Sequence, residues 1–344
     1  MHLEDLGWDE EFARRFEPYA AAGCAPGRVS AVHRGAYVLW MESGEVEAEA
    51  SGRMLYEGGE LPVTGDWVAL RRGGRLIEAV LPRRSAVRRR RPGGEVEEQV
   101  LAANLDLLFL VAGLDGDFNP RRLERYLVLA SESGCPAVVV LNKADLRADP
   151  RDAVRAAEAL GAPVVAVSAA RGDNLEALQA HARPGLTAAF LGSSGAGKST
   201  LVNALIGRPL QSSAPVREHD SRGRHTTTRR ELILLPRGWM VIDMPGLREV
   251  GLWAGEKELD GAFEDVAELA MQCRFRDCTH QAEPGCAVRG ALDEGRLGSY
   301  RKLQKELDWL RRQQDPRAAA AHKAKWKQIH KDLRRRLEGP GKAG

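Results

Sequence analysis

The sequence predicts a multi-domain α/β protein: a small all-β barrel, then a parallel sheet flanked by helices, then a mainly helical region. Three observations predict it. Residues 28–82 fall into short segments of period-two alternation separated by Gly-containing turns, the pattern of half-buried strands. Residues 101–242 alternate apolar runs of strand length with amphipathic runs of helical spacing, as successive βαβ units do. From about residue 255 the period becomes helical, interrupted by a cysteine-rich loop.

In chain order, residues 1–28 are expected to be a loosely structured N-terminal lead. The barrel segments are VSAVHRGAYVLWM, GEVEAEASGRML, DWVALRR and RLIEAVL, with turns at Glu57-Gly58-Gly59-Glu60 and Arg72-Gly73-Gly74-Arg75. Their size and spacing over residues 29–100 fit the oligonucleotide-binding (OB) type. The α/β domain, residues 101–254, has expected strands at 105–111, 137–141, 164–167, 186–191, 231–235 and 239–242. Its helices are expected at 121–131, 152–160, 174–180 and directly after residue 197. Residues 255–344 carry a stripe of Leu259, Phe263, Val266 and Leu269, then the cysteine loop. A long basic helical region follows, with Leu303, Leu307, Leu310, Trp326 and Ile329.

A chain of 344 residues allows two or three domains, and its 43% apolar share can fill a core in each. No apolar run is long enough to span a membrane, and the acidic start, MHLEDLGWDEEF, lacks a signal-peptide apolar region. Five cysteines, an odd number with three clustered, point to a reducing, cytoplasmic setting rather than a disulfide framework. The net charge of +3 hides an asymmetry: residues 71–91 hold nine arginines against the single acid Glu78, and residues 296–336 are also basic. Two separate basic zones suggest a polyanionic partner larger than a nucleotide. Arg83, Arg84, Arg88, Arg89, Arg90 and Arg91, just past the barrel's last strand, are candidates for phosphate-backbone contacts with RNA.

Gly192-Ser193-Ser194-Gly195-Ala196-Gly197-Lys198-Ser199-Thr200 fits the phosphate-loop pattern G-x-x-x-x-G-K-[ST], with the strand LTAAFL before it and Leu201, Leu205 and Ile206 at helical spacing after it. Glycines let successive backbone N–H groups wrap phosphates, and the following helix N-terminus adds partial positive charge. Lys198 can reach the outer phosphates and the Ser199 hydroxyl can bind magnesium. Asn142-Lys143-Ala144-Asp145 follows the strand AVVVL. The Asp145 carboxylate can accept from guanine N1–H and N2–H₂ together, a donor pair adenine lacks. Asn142 can hold the carbonyl edge and neighbouring loops, and Lys143 can lie along the base or ribose. Ser168-Ala169 after the next strand can present the Ala169 N–H to guanine O6. Asp243-Met244-Pro245-Gly246 closes the strand WMVID; Asp243 is placed to bind magnesium through water, and the Gly246 N–H to sense the terminal phosphate. Thr226, Thr227 and Thr228 all remain candidates for the threonine that closes over magnesium.

Ordinary small GTPases run phosphate loop, switch threonine, D-x-x-G, N-K-x-D, S-A-x. Here N-K-x-D and S-A-x come first, so the set is complete but rotated, as in a circularly permuted P-loop GTPase domain. This order, with the phrases GSSGAGKST, GRHTTT and DMPG, resembles the ribosome small-subunit-dependent GTPase A (RsgA) family over most of the chain. The resemblance implies a GTPase that acts late in small ribosomal subunit maturation and is stimulated by that subunit; on the leading reading the barrel and the cysteine-bearing tail grip its ribosomal RNA. Leu247 stands where Ras-like enzymes carry a water-orienting glutamine, so intrinsic turnover is expected to be slow. His225, the nearest polar residue, resembles the family's proposed catalytic histidine. Leu247 also keeps a second function open: an RNA-binding, ribosome-associated chaperone in which GTP is a regulatory ligand with negligible hydrolysis.

Cys273, Cys278, His280 and Cys286 form C-x₄-C-x-H-x₅-C. Three thiolates and an imidazole make a closed tetrahedral set for one structural zinc, and the resemblance implies zinc at the same positions. The C-terminal region is therefore expected to be a helical zinc-binding domain. The expected ligands are thus GTP or GDP, Mg²⁺ and one Zn²⁺, in a chain whose default state is a monomer.

Overall fold

A computed structural model describes residues 1–33, 35–56, 60–90, 98–207, 230–244 and 256–314. The chain divides into two compact units, residues 1–89 with 99–251 and residues 90–98 with 252–344. Among the described residues, no helix is long and apolar enough to cross a membrane.

The first unit opens on a 3-10 turn and helix α1 (Glu10–Ala21). The expected loose lead is therefore ordered. Asp9 caps α1 by accepting from the Glu11 and Phe12 backbone N–H groups at 3.0 and 3.1 Å, which satisfies two otherwise orphaned donors. Phe12 and Phe16, one helical turn apart, are buried, and Trp8 packs edge-on against Trp67 with centroids 4.7 Å apart. An aromatic cluster tethers the lead; the charged residues between these rings, Asp9, Glu10, Glu11, Arg14 and Arg15, mask the stripe in the sequence.

The barrel comprises β1 (Cys24–Val32), β2 (Tyr37–Met41), β3 (Gly44–Ala50), the short helix α2 (Gly52–Tyr56), β4 (Trp67–Arg71) and β5 (Leu76–Val80). It closes in the order β1-β2-β3-β5-β4. Strand β1 pairs antiparallel with both β2 and β4 and carries a bulge between Val29 and Ala31, the device by which one strand bends to serve two neighbours. Closure is parallel, Glu49 opposite Leu76 and Ala50 opposite Ile77. The inward residues Val29, Leu39, Val68 and Ile77 are each fully buried. This is the expected OB-type barrel.

A two-stranded sheet, β6 (Ala86–Arg90) with β7 (Glu98–Ala103), leads to the α/β domain. That domain runs β8 (Leu107–Gly113), α3 (Pro120–Glu132), β9 (Ala137–Asn142), α4 (Arg151–Glu158), β10 (Val164–Ala166), α5 (Leu175–Gln179), β11 (Thr187–Gly192), α6 (Lys198–Ile206), β12 (Leu232–Leu234) and β13 (Met240–Ile242). The sheet order is β10-β9-β8-β11-β13-β12. All neighbours are parallel except β12 with β13. The sheet is thus mixed where an all-parallel one was expected. The link from Leu234 to Met240 is too short for a crossover, which needs a dozen or more residues. Phe109 and Phe190 stack at 5.1 Å in a core that also takes in Trp239, Leu201 and Leu205.

Barrel and sheet are joined by buried polar contacts. Arg28, 2% exposed, donates to the carbonyls of Leu6 and Asn104 and to Thr187 Oγ1, with its guanidinium over the Trp67 ring. Burial holds its pKa down to about 10. Ala31 forms an antiparallel bridge with Glu231, and Thr64 Oγ1 donates to the Arg230 carbonyl at 3.0 Å.

In the second unit, α7 (Glu256–Ala262) and α8 (Glu264–Ala270) precede the cysteine loop and α9 (Glu294–Gln314) follows it. Phe263 is fully buried, edge-on to Tyr300 and covered by the Arg296 guanidinium, which grips Asp265 through two bonds of 2.8 and 3.0 Å.

Two of the arginines expected to face RNA are committed inside the chain. Arg83 makes a bidentate pair with Asp66, both bonds 2.8 Å, and adds Glu60 at 2.9 Å. Arg84 pairs with Asp9 and Glu11 and lies over the Phe12 ring at 3.9 Å. Asp66 is buried, which pushes its pKa up, and Arg83 is the group that opposes the shift. Arg83→Ala strands this carboxylate; the expected loss is about 3 kcal/mol of folding stability. A urea denaturation midpoint equal to wild type contradicts that structural role.

Candidate functional site

The motifs sit at the C-terminal ends of neighbouring strands. Gly192 ends β11 opposite Val111 of β8, and Asn142 ends β9 opposite Gly113 of β8. Asp243 follows β13, whose Ile242 is level with Ala189 of β11. Such strand ends are where open α/β sheets bind ligands. The rotated motif order has no effect on this arrangement, because sheet order rather than chain order sets which loops meet.

Within the phosphate loop, Gly195 and Gly197 adopt φ of 85° and 93°, and α6 starts at Lys198. The helix N-terminus thus opens directly onto the loop, leaving N–H groups for phosphate oxygens. The Lys198 ammonium donates to the carbonyls of Gly192 and Ser193 at 2.8 and 2.7 Å, which holds it over the loop. Burial raises the Asp243 pKa, and Lys198 opposes the shift. Lys198 and Asp243 therefore share one electrostatic environment, with Ser199 and Thr200 beside them at the exposed start of α6.

Asn142 connects the loops. Its Nδ2 donates to the Ala196 carbonyl and its Oδ1 accepts from the Ala169 N–H, both at 3.0 Å. Its backbone carbonyl accepts from the Leu114 N–H at 2.9 Å. Gly197 must be glycine for a second reason besides its φ: a Cβ there would lie 2.2 Å from Asn142 Nδ2. The Ala169 amide, expected to serve guanine O6, is engaged by Asn142 in this structure, so a bond to O6 requires a shared donor. Ser168 is buried; its Oγ accepts from the Arg171 N–H at 3.2 Å, and its backbone bridges to Asp173. Asp145 lies in a 3-10 turn, Ala144–Leu146, with Arg171 at 3.7 Å. That loose pair with an exposed partner is a weak competitor for the carboxylate. Thr226, Thr227, Thr228, His225, Gly246, Leu247 and Arg91 lie outside the described residues. Arg88 and Arg89 are half-buried on β6, where Arg89 Nε donates to Gln99 Oε1 at 3.0 Å.

Two further residues join the site that the motifs do not mark. The carboxylates of Asp115 and Asp117 accept from Lys143 Nζ and Ser193 Oγ respectively. The run Leu114-Asp115-Gly116-Asp117 looks like an ordinary turn, and its signal is only that it follows a strand of the same sheet.

In the second unit, one ligand atom from each of Cys273, Cys278, His280 and Cys286 lies within 4.8 Å of the others. His280 Nδ1 is 3.7 Å from the Cys273 sulfur and 3.5 Å from that of Cys286. A tetrahedral zinc with metal–ligand distances of about 2.0–2.3 Å places neighbouring ligand atoms roughly 3.5–3.8 Å apart. The cluster fits that ion. Ala287 N–H donates to Cys273 Sγ and Arg289 N–H to Cys286 Sγ, both at 3.4 Å, bonds that favour thiolates. The Glu283 carboxylate holds the turn by accepting from the Thr279 hydroxyl and from the N–H groups of Thr279, Gln281 and Ala282, and its pKa falls to about 2.

The buried amide of Asn142 is the most testable part of the nucleotide site. Asn142→Ala leaves the Ala196 carbonyl and Ala169 N–H without it, at about 1–3 kcal/mol per buried unpaired group. The expected outcome is a lower melting midpoint together with weaker GDP binding; unchanged GDP affinity by calorimetry contradicts the linking role.

The sequence profile of the RsgA GTPase family matches residues 80–253. The chain is 49% identical to the Small ribosomal subunit biogenesis GTPase RsgA of Opitutus terrae, across 98% of this chain and 99% of that protein. It is 42% identical to the protein of the same name from Leptospira interrogans, across 99% and 98%. Among solved structures, YjeQ from Thermotoga maritima superposes with a TM-score of 0.62 at 27% identity, covering 83% of this chain and 98% of that one. YloQ, described as a circularly permuted GTPase, shares the fold with a TM-score of 0.57 at 22% identity, over 83% and 95%. With relatives of one name matching along nearly the full length of both sequences, the chain belongs to the RsgA GTPase family.

Proposed function

We propose that this chain hydrolyses GTP to GDP and phosphate and acts in late maturation of the small ribosomal subunit, which stimulates it. The observation that carries the proposal is the gathering of Lys198, Asn142, Asp145 and Asp243 at adjacent strand ends of one sheet, in a chain whose close relatives are named for that subunit. Asp145 selects guanine. The phosphate loop and the α6 N-terminus bind the phosphates through backbone N–H groups, and Lys198 balances charge developing on the transferred group. Ser199 and Asp243 are the residues to hold Mg²⁺, which supplies charge neutralisation between the outer phosphates.

The same proposal covers the rest of the chain. The barrel, which begins at Cys24 and lies largely within residues 29–100, faces RNA, 101–254 serve as the GTPase domain and 255–344 as the zinc-bearing domain, in a monomer working in the cytoplasm. Arg88 to Arg91 remain the candidate contacts to ribosomal RNA phosphates, whereas Arg83 and Arg84 serve the fold. His225 is proposed to act at the γ-phosphate.

Turnover measured with and without purified small subunits tests the central claim. Hydrolysis is expected to be slow alone and to rise, by up to on the order of a thousandfold, when the subunit completes the site. No rise, with GTP still bound, replaces catalysis by a regulatory role for GTP. ATP competing as well as GTP overturns the base assignment.

Zinc is testable separately. Purified protein is expected to carry one zinc per chain by atomic emission, and Cys278→Ser to lose it and to lower the melting midpoint of the second unit, since metal binding supplies folding energy in small sites. A metal-free wild type with the same melting profile contradicts the assignment.

A further inference from the structure

Residues 114–119 connect β8 to α3 and run beside both nucleotide loops. Asp115 accepts from Lys143 Nζ of the base loop. Two residues on, Asp117 accepts from Ser193 Oγ of the phosphate loop through Oδ2 and from the Arg122 guanidinium of α3 through Oδ1. One short segment therefore holds a side chain from each loop. The end of β8 is cut away to admit it: a Cβ on Gly113 would lie 2.6 Å from Asp115 Oδ1 and 3.5 Å from Lys143 Cδ.

The charges are matched one to one. Lys143 holds the Asp115 carboxyl below the ordinary carboxylate range, and Asp117 raises the Arg122 guanidinium. This matching matters beside a phosphate site, where an uncompensated carboxylate would repel the ligand. The backbone repeats the pattern. Lys143 sits at a φ of 61°, rare for a lysine. The Ala144 N–H bonded to the Val167 carbonyl and the Leu114 N–H bonded to the Asn142 carbonyl fix that turn at its near end. Asp115 fixes the far end of the side chain.

We propose that Asp115 and Asp117 are positioning residues for guanine-nucleotide binding, clasping Lys143 of the base loop and Ser193 of the phosphate loop into one cradle. The inference rests on the nucleotide reading of those loops. Neither acid touches the nucleotide; each removes freedom from a group that does or from the loop that carries it. Loss of the clasp lets the loops open, so the effect falls on nucleotide release more than on capture.

GDP dissociation, followed with a fluorescent GDP analogue on the full chain, tests this. Asp117→Ala and Ser193→Ala are each expected to speed release roughly tenfold, the scale of one hydrogen bond to a charged group. Because both remove the Ser193–Asp117 bond, and Asp117→Ala also loses the Arg122 pair, the double variant is expected to release GDP within about twofold of Asp117→Ala. Asp117→Asn, whose side-chain carbonyl still accepts from Ser193, is expected to recover most of the loss. Multiplying effects in the double variant, or an Asp117→Asn as fast as the alanine, overturn the Asp117 clasp. The cycle of Asp115→Ala with Lys143→Ala is expected to be non-multiplying too, and multiplication there removes Asp115.

If Asp117→Ala does not fold, Ser193→Thr against Ser193→Ala carries the test: threonine keeps the hydroxyl and is expected to stay near the wild-type rate, while equal rates for both overturn the clasp. Lys198→Ala separates the layers. A wild type that binds no GDP, or a Lys198→Ala that binds as tightly, sinks the nucleotide reading. Normal binding lost in Lys198→Ala, with multiplying effects at Asp117, sinks the clasp alone.

Discussion

The side chain of Asn142 is a buried amide that has to be satisfied, and the nucleotide site is arranged around that requirement. One end donates to the phosphate loop at Ala196 and the other accepts from Ala169, while the backbone takes the Leu114 N–H. Four loops, following β8, β9, β10 and β11, thereby become one object before any ligand arrives. Buried polar groups of this kind specify geometry because no alternative arrangement satisfies them in a dry interior. The glycine at 197 follows from the same closeness, quite apart from its backbone angle. A circular permutation preserves all of this: moving the chain ends leaves β9, β8 and β11 side by side.

Much of this was readable along the chain, for local reasons. A phosphate loop needs its strand, glycines and helix in succession, and four candidate metal ligands within 14 residues mark themselves. What escaped was non-local. Arg83 and Arg84 look like free cations until Asp66, Asp9 and Glu11 are brought beside them by folding. Helix α1 was hidden because two phenylalanines among charged residues of both signs make a narrow stripe, decisive only once Trp67 is there to receive it. Asp115 and Asp117 read as turn residues because a carboxylate beside a glycine is usually just that. The antiparallel β12 was the exception. The short link between two predicted strands already contained the answer, and the prevailing parallel pattern obscured it.

The barrel is joined to the sheet through polar atoms as well as apolar surface. The Ala31–Glu231 bridge and the Thr64–Arg230 bond attach barrel backbone to the segment that enters β12, and the Asp243 N–H in turn donates to the Glu231 carbonyl at 3.1 Å. A barrel strand, a sheet edge and the backbone of Asp243 are thus linked through Glu231 by hydrogen bonds.

Arg28 has a consequence for the order in which the chain is made. Besides the Leu6 carbonyl, its partners are the carbonyl of Asn104 and the hydroxyl of Thr187, 76 and 159 residues further on. At about 5–20 residues per second, synthesis reaches Thr187 roughly 8–32 s after Arg28. Throughout that interval the barrel's central cation lacks a partner that the nucleotide-binding sheet alone provides. The nascent barrel must either keep that end hydrated or wait, so its final consolidation is timed by the arrival of the strand that carries the phosphate loop.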